Sequence, residues 1–446
     1  MKDSFGLFTH PDDPDRRGSG GTDHTGEFDI VELREALNRF PQAEPPSLPR
    51  EVTRDRRARR IADDNRRRRR HRSSLIAVLV LVVIAVGTFV LVRTWSTQEP
   101  APPADFAGSG STETIIRVKA ADGLTEIGTA LFDAKVVASV QAFVQAAGAG
   151  EEIRRIQPGY YKVREGAAAA TTISALLAVD NRVGQLDLIP GVTLADTTVP
   201  STGQVLPGYV AQITAAACVP LNGTSNCFDA DQLWTQIRTA DVVSMGLVDW
   251  AVARVTASTD PDRRLEGMIA PGVYSIPPTS DPAVVLKYLI GASAVYWNAS
   301  EIATKATTLG HDPYDLAVIA SLIEREAITS DMSRVSRVIE NRLAIPMILQ
   351  LDSTVNYGKA ESQIATDEAD RSDPTSPYNT YTHEGLPPTP IGGIGPDALK
   401  AALNPAEGTW LYFVKVDPTT GKSCFSVTLD EHNLCVEKAR AAGVFG

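Results

Sequence analysis

The run Ala317–Ala327 (AVIASLIEREA) is an apolar segment that carries two carboxylates near its end, Glu324 and Glu326. It follows Asp312 and Pro313, which are typical of a helix start. A short acidic side chain caps the first free N–H groups, and proline suits the first helical position. The sequence therefore predicts a largely buried helix that brings two acidic side chains into a buried or half-buried place.

Helical geometry distinguishes the two carboxylates. At about 100° per residue, Glu326 lies roughly 20° from Ile319 around the helix, whereas Glu324 lies roughly 140° from it. Glu326 therefore extends the apolar stripe of Leu316, Ile319 and Ile323, although the preference is modest because the helix is apolar on nearly all sides. Burial disfavours the charged form of a carboxyl and raises its pKa, which suits a general acid.

A structural role is the alternative for both glutamates. They could instead form ion pairs with arginines on neighbouring turns. The candidate arginines are Arg325, Arg334 and Arg337. Spacing alone does not decide between a catalytic and a structural role.

The charge of the chain is distributed unevenly. The 446 residues carry a net charge of −11. Up to Arg72 there are 17 Lys and Arg against 14 Asp and Glu, and after it there are 26 against 40. An acidic remainder argues against a nucleic-acid surface, so no nucleic-acid partner is expected. The 43% of apolar residues is enough for two or three domains with cores of their own.

The first 112 residues divide into three segments by composition. Residues 1–72 are polar, end in an arginine-rich run and are predicted to be a disordered cytoplasmic tail. Residues 73–92 are nearly all apolar and predict one transmembrane helix. Because arginines crowd its N-terminal side, the positive-inside rule places the tail in the cytoplasm and the remainder outside. Residues 93–112 are rich in Pro, Ala, Gly and Ser and predict a flexible linker.

Beyond the linker, the hydrophobic pattern changes between strand and helix periods. Ile115–Val118 alternates like a strand, two helical patterns follow, and Pro158–Val163 indicates a turn into a second strand. Together these segments predict a β-α-α-β unit. Further along, Ile189–Leu194 predicts another strand and Phe228–Ser244 predicts a helix.

Four cysteines occur in two local pairs after the predicted membrane span. An even count in an extracytoplasmic chain favours two disulfides that close short loops. The candidate pairs are Cys218 with Cys227 and Cys424 with Cys435. Neither spacing suits a zinc site, so no metal and no cofactor are expected.

Five groups of motifs follow one another in the second half of the chain. They are LEGMIAP (Leu265–Pro271); ASLIEREA (Ala320–Ala327); NRL with LQLDSTVNYG (Asn341–Leu343, Leu349–Gly358); YNTY with GLPPTPI (Tyr378–Tyr381, Gly385–Ile391); and AALNP with LYFV and EH (Ala401–Pro405, Leu411–Val414, Glu431–His432). With these motifs the chain resembles the endolytic murein transglycosylases of the YceG-like family over residues 113–446. One motif would be weak support, whereas five in order are specific.

The resemblance implies an α+β fold, with a small LysM-like subdomain and a larger mixed α/β catalytic domain preceded by the transmembrane helix. It implies a LysM-like subdomain at residues 113–185, an intermediate part of the YceG-like region at 186–310 and a catalytic core at 311–446. The protein would be a single-pass protein of the cell membrane whose catalytic domain is extracytoplasmic.

The resemblance also implies an activity. Family members are lytic transglycosylases, which are lyases that cut nascent peptidoglycan strands between N-acetylmuramic acid and N-acetylglucosamine. They leave 1,6-anhydro ends that terminate glycan elongation. The second glutamate of the E-x-E pattern, Glu326, would be the catalytic acid and base, in agreement with the helical geometry. The implied partners are peptidoglycan strands, the membrane and peptidoglycan synthases.

Seven further residues are expected to bind the sugar. Polar side chains can hydrogen-bond sugar hydroxyl and acetamido groups, and tyrosine rings can stack on pyranose faces. The candidates are Glu266, Gln350, Asp352, Thr354, Tyr357, Asn379 and Tyr381. For the tyrosines, packing in the core is as good an interpretation, and Glu266 could instead pin a helix to a loop.

Two other functions remain open on the sequence. A lysozyme-like muramidase would use Glu326 and Asp352 with water and would leave a reducing end. A non-catalytic wall scaffold would bind glycan through the LysM-like subdomain alone. The intact Glu326 and Asp352 argue against a scaffold.

Overall fold

The computed structural model of the protein describes residues 78–93, 101–148, 154–225, 227–362 and 366–444. The chain separates into two compact units at residue 100.

The first unit contributes one helix, at residues 78–93, whose apolar side chains are exposed. This helix lies within the predicted membrane span, but the first five residues of that span and the predicted tail at 1–72 lie outside the described residues. Within the described ranges, no helix has both the length and the apolar content needed to cross a membrane.

The second unit begins with a small β-α-α-β unit that has its own core. Its elements are β1 (Glu113–Val118), α1 (Leu124–Asp133), α2 (Val140–Ala147), β2 (Gly159–Arg164), α3 (Ala169–Leu177) and β3 (Arg182–Val183). The three strands form an antiparallel sheet in the order β1-β2-β3, with Glu113 opposite Arg164 and Val118 opposite Gly159. Phe143 and Leu131 are fully buried between the helices and this sheet. The predicted β-α-α-β order is confirmed.

The second half of the predicted flexible linker is held against this small unit. The Asp105 carboxylate accepts a hydrogen bond from the backbone N–H of Ala169 (3.1 Å), and Ser111 donates its N–H to the carbonyl of Glu165 (3.0 Å). The prediction of flexibility was therefore wrong for this half. Small polar residues let the backbone approach the sheet closely enough to hydrogen-bond, which composition alone does not reveal.

The remainder of the second unit forms a larger, mainly helical part. Its elements are β4 (Gln185–Leu188), β5 (Thr197–Val199), β6 (Gln204–Leu206), α4 (Tyr209–Ala217), α5 (Ala230–Thr239), α6 (Asp249–Thr256), β7 (Gly272–Ser275), α7 (Pro282–Ala299) and α8 (Ile302–Leu309). The chain continues with α9 (Pro313–Glu326), α10 (Met332–Leu343), α11 (Asp352–Lys359), α12 (Glu368–Ser372), α13 (Pro396–Leu403), β8 (Tyr412–Lys415), β9 (Ser423–Ser426) and α14 (Leu429–Ala441). The strands pair as β4-β7, β5-β6 and β8-β9.

Helix α9 lies in the middle of the main core. Every residue from Leu316 to Ile323 is buried, and the helix packs against α6, α8, α10, α11 and α13. Asp312 caps its start, accepting a hydrogen bond from the backbone N–H of Tyr314 (2.8 Å), and Pro313 occupies the first turn. The predicted start is confirmed, and burial on all sides explains why the helix is apolar nearly all round.

The predicted strand at Ile189–Leu194 is wrong, because this segment is a loop. Gly191 donates its N–H to the carbonyl of Gly393 (2.8 Å), and Gly393 donates its N–H to the carbonyl of Val192 (2.8 Å). The backbone N–H of Leu194 donates a hydrogen bond to the carboxylate of Glu266 (3.1 Å). Partners far along the chain therefore replace the ladder that a strand would need.

Two disulfides join Cys218 to Cys227 and Cys424 to Cys435. The loop closed by the first disulfide reaches back to the small unit. There, Asn222 accepts a hydrogen bond from the backbone N–H of Glu113 (2.7 Å) and donates its own N–H to the Glu113 carboxylate (2.9 Å). This loop therefore links the edge strand β1 to the larger part.

Candidate active site

Glu326 is the last residue of α9, and its side chain is half-buried. Its Oε1 accepts a hydrogen bond from the backbone N–H of Ser353, the second residue of α11 (3.2 Å). Burial raises the pKa of Glu326. The contacts with Ser353 and the charge of Lys415 oppose this rise, and the negative charge of Asp352 adds to it. The net pKa is above the ordinary value for a glutamate, which favours the neutral acid.

In the part of the chain that the structure describes, no arginine lies within 4.0 Å of the carboxylate of Glu324 or Glu326, although the charge of Glu326 raises the pKa of Arg325. Arg334 pairs with Asp331, and Arg337 donates to the carbonyl of Ala406. The guanidinium of Arg325 donates instead to the carbonyl of Gly191 (2.7 Å).

Asp352, the first residue of α11, is held by three side chains. Arg371 donates from Nε to Oδ1 and from Nη2 to Oδ2 (3.0 Å each), and the hydroxyls of Thr366 and Tyr381 donate to Oδ1 (2.7 Å each). Burial raises the pKa of Asp352, but the hydrogen bonds from Arg371, Thr366 and Tyr381 outweigh it and hold the pKa below its ordinary value. The pKa of Asp352 is therefore lowered, whereas that of the neighbouring Glu326 is raised.

Two other predicted sugar-binding residues hold the backbone around Asp352. Thr354 is fully buried and donates its hydroxyl to the carbonyl of Leu351 (2.6 Å). The side-chain amide of the buried Asn379 donates to the carbonyls of Asp370, Arg371 and Asp373 (2.7–3.2 Å).

Gln350 lies just before α11 and is exposed. Its backbone is in the left-handed region (φ 55°), and its side-chain carbonyl accepts a long hydrogen bond from Arg342 (3.4 Å). The exposed amide of Gln350 is open to a ligand, unlike the hydroxyl of Thr354 and the amide of Asn379, which are buried.

Glu266, which precedes β7 in the chain, and Tyr357 on α11 form a second acidic centre. Glu266 is 2% exposed, and its carboxylate accepts hydrogen bonds from the backbone N–H of Leu194 (3.1 Å) and the hydroxyl of Tyr357 (3.0 Å). Burial raises the pKa of Glu266 to about 7, against the lowering effect of those two donors and of Arg263. The guanidinium of Arg263 lies 4.8 Å from the ring centre of Tyr357.

Glu324, the first glutamate of the E-x-E pattern, lies elsewhere. Its Oε2 accepts a hydrogen bond from the backbone N–H of Gly395, at the start of α13 (3.1 Å). Burial raises its pKa as well. Glu324 therefore fixes the junction between α9 and α13, whereas Glu326 faces the start of α11.

Residues 116–438 match the model of the YceG-like family. The chain belongs to the YceG-like family.

Two relatives of this YceG-like chain are named endolytic murein transglycosylase. The protein of Bacillus subtilis (strain 168) is 36% identical over 180 residues, which are 39% of this chain and 48% of that protein. The protein of Streptococcus pneumoniae (strain ATCC BAA-255 / R6) is 31% identical over 179 residues, which are 38% of this chain and 31% of that protein. The matches therefore span about half of the first relative and about a third of the second.

A YceG-like protein of Listeria monocytogenes is similar in a crystal structure. The match has 25% sequence identity and a TM-score of 0.47, and it covers 73% of this chain and 99% of that protein.

In this member of the YceG-like family, the structure brings most of the predicted site residues around α11. Asp352 and Tyr381 lie together beside Glu326, and Tyr357 connects the same helix to Glu266. Among the described residues, no group of three or more His, Cys, Asp or Glu side chains is arranged to hold a metal ion.

Four residues around the two carboxylates were not predicted from the sequence. They are Ser353, Thr366, Arg371 and Lys415. Ser353 donates to Glu326 through its backbone N–H, which any residue except proline provides, and its side chain also lowers the pKa of Glu326. Arg371 follows Asp352 by 19 residues, beyond the reach of periodicity arguments within one helix.

The arrangement can perform acid–base chemistry with one carboxyl group. A carboxyl with a raised pKa can donate a proton near neutral pH and take one back as a carboxylate. Asp352 is occupied by four hydrogen bonds and stays charged. It is therefore poorly suited to act as a nucleophile.

Proposed function

We propose that the protein is a lytic transglycosylase that cuts peptidoglycan strands between N-acetylmuramic acid and N-acetylglucosamine. The observation that carries this proposal is the pairing of Glu326, whose pKa is raised, with Asp352, whose oxygens are already hydrogen-bonded. Membership of the YceG-like family and the names of the two relatives support it.

Glu326 acts first as an acid and then as a base. As a neutral carboxyl, it donates its proton to the oxygen that links the two sugars while the bond from that oxygen to the anomeric carbon breaks. The Glu326 carboxylate then takes the proton from the C6 hydroxyl of the muramic residue, whose oxygen attacks the same anomeric carbon. The product has a 1,6-anhydro ring, Glu326 is neutral again and no water is consumed.

Asp352 supports this cycle through its charge. Its negative charge raises the pKa of Glu326 and thus keeps the acid protonated before cleavage. It also favours the positive charge that develops on the sugar as the bond breaks. A lysozyme-like muramidase, in which Asp352 forms a bond to the sugar, would first have to break the contacts with Arg371, Thr366 and Tyr381.

The remaining parts of the proposal concern location and organisation. Residues 73–92 anchor the chain as a single membrane span, with the tail (1–72) in the cytoplasm; the support is the apolar run and the arginines before it. Residues 113–185 serve as a LysM-like glycan-binding subdomain, 186–310 as the intermediate part and 311–446 as the catalytic core. Because strands are cut as they are made, peptidoglycan synthases are the expected partners.

The test is mass spectrometry of uncrosslinked glycan strands after digestion by the full-length protein. We expect internal cuts that end in 1,6-anhydromuramic acid, and a loss of about 10²–10⁴-fold in rate for Glu326→Gln, as for removal of a general acid. Glu324→Gln is the matched control on the same helix, because glutamine can still accept from Gly395, and we expect its rate to stay within about tenfold.

Each other outcome contradicts a named part of the proposal. Reducing muramic ends would show hydrolysis and favour the muramidase. Loss of cleavage in Glu324→Gln but not in Glu326→Gln would exchange the roles of the two glutamates. Strands bound but not cut by the wild type would favour a non-catalytic scaffold.

A further inference from the structure

Arg325 lines a cavity of about 420 Å³. Glu266 and Tyr357 line it, and Trp234 on α5 provides an aromatic wall. Its walls also carry the charged side chains of Arg238, Asp260, Asp262, Arg263 and Glu361. Glu326 does not line it, so this cavity is separate from the place where the proposed cleavage occurs.

Several charges of the cavity are already paired. Asp260 lies 3.7 Å from Arg263, and Asp262 is hydrogen-bonded to Arg238. Glu361 is paired with a lysine outside the cavity, Lys359 (3.2 Å). Paired groups of this kind shape the walls but offer little further attraction to a ligand.

Arg325 differs from the other arginines of the cavity. It is half-buried; burial lowers its pKa, and the negative charges of Glu326 and Glu266 oppose this effect. Among the described residues, the structure records one hydrogen bond from its guanidinium, to the carbonyl of Gly191 (2.7 Å), and no carboxylate within 4.0 Å. A guanidinium has five N–H donors and is costly to bury without an anion. Such a group matches a carboxylate, which can accept two parallel hydrogen bonds from it.

The cavity is close to the proposed cleavage centre. The charge of the Glu326 carboxyl acts on the Arg325 guanidinium, because it raises the pKa of Arg325. On α11, Ser353 touches Glu326 and Tyr357 lines the cavity one helical turn later, about 5–6 Å away. One branched ligand could therefore occupy both places at once.

We propose that this cavity binds the carboxylate-bearing peptide that branches from the muramic residues of the glycan, with Arg325 as its anion-binding group. The inference rests on the proposed function, since it assumes a peptidoglycan strand at Glu326. Neutral sugar hydroxyls bring no charge to Arg325, whereas a peptide carboxylate can accept two parallel hydrogen bonds from its guanidinium. Trp234 and Tyr357 offer apolar faces for the aliphatic parts of the peptide.

The test compares two substrates: strands with their peptides, and the same strands from which an amidase has removed the peptides. We expect the wild-type, full-length protein to have a kcat/KM about tenfold or more higher on the peptide-bearing strands. In Arg325→Gln this ratio should fall to near one, and in Arg325→Lys, which keeps the charge, it should be partly restored. Arg440→Gln, which changes an exposed arginine on α14, is the matched control and should keep the wild-type ratio.

An equal kcat/KM of the wild type on both strands would overturn the proposal, as would an unchanged ratio in Arg325→Gln. If the wild type cuts neither strand, the proposed function fails. Calorimetry with a soluble muramyl peptide then tests separately whether the cavity binds the peptide. We then expect the muramyl peptide to bind to the Glu326→Gln variant. Binding should be lost in the double variant with Arg325→Gln and kept in the double variant with Arg440→Gln. Absence of binding to Glu326→Gln itself would overturn the proposal. Melting temperatures would confirm that each variant is folded.

Discussion

The two carboxylates at the start of α11 lie in similar surroundings but titrate in opposite directions. Glu326 and Asp352 are both half-buried, yet the pKa of Glu326 is raised and that of Asp352 is lowered. The difference lies in their donors. Asp352 accepts four hydrogen bonds, and two of them come from a guanidinium. Glu326 accepts one hydrogen bond from a backbone N–H, that of Ser353. Donors, rather than burial, therefore decide which group is the acid.

This difference also separates two kinds of chemistry. Two carboxylates that were both free of strong donors would suit a glycosidase with an acid and a nucleophile. Here one carboxylate is fixed and charged, and the other can exchange a proton. The predictions that follow change one side of the pair at a time, or compare it with a third carboxylate.

Asp352→Asn removes the fixed charge and should have the largest effect of the three. We expect a loss of about 10–100-fold in kcat/KM, which corresponds to the ~1.5–3 kcal/mol of a charge-assisted hydrogen-bond partner. The pKa of Glu326 should fall because a repelling charge is lost, so activity should decline at a lower pH than in the wild type. A pH profile of kcat/KM measures both effects. If Asp352 were a nucleophile, the loss would instead equal that of Glu326→Gln.

Glu266→Gln tests a third carboxylate, which has fewer donors than Asp352 and is more deeply buried. Since the folded pKa of Glu266 is about 7 and its ordinary value is 4.5, the folded protein holds a proton that the unfolded chain releases between these values. Stability should therefore fall as the pH rises through this window, by up to about 1.4 kcal/mol per pH unit. The variant should flatten this slope.

Urea unfolding at pH 5, 6, 7 and 8 measures the slope for Glu266. The exposed Glu407→Gln is the matched control and should leave the slope unchanged. An equal slope in the wild type and Glu266→Gln would show that Glu266 keeps an ordinary pKa and that its two donors outweigh burial.

Lys415→Met should have the smallest effect. Lys415 is exposed on β8, and its charge lowers the pKa of Glu326. Without this charge, the pKa of Glu326 should rise, so the acid should stay protonated, and the protein active, to a higher pH. The pH profile of kcat/KM measures the shift, and Lys422→Met, in the same hairpin, should give none. A shift to lower pH would contradict the assignment of Glu326 as the acid.

The helix that carries Glu326 could be predicted from the sequence, whereas the setting of its carboxyl could not. The start of α9 is predicted by Asp312 and Pro313, and its burial by the apolar run. The structure agrees with both predictions. The opposite behaviour of Glu326 and Asp352 depends on Arg371, Thr366 and Tyr381, which no local pattern connects to Asp352.

The same limit explains the strand that was wrongly predicted before β5. Ile189–Leu194 has the composition of a strand, but its backbone groups are bound by Gly393, Arg325 and Glu266. Composition reports what a segment prefers by itself, and contacts from distant residues override that preference. The sugar-binding role expected of Asn379 likewise stays a prediction, since its amide hydrogens bind the backbone.

The contacts of Arg325 also have a consequence for the timing of synthesis. Its guanidinium binds a carbonyl 134 residues earlier, Glu326 binds a residue 27 positions later, and the charge of Lys415 lies further on still. Contacts of such long range form late, after the segments between them have been ordered. A growing chain that has not reached residue 415 lacks part of the electrostatic setting of its acid. The hydrogen bond to the Glu326 carboxylate therefore cannot form until the chain has been made as far as residue 353.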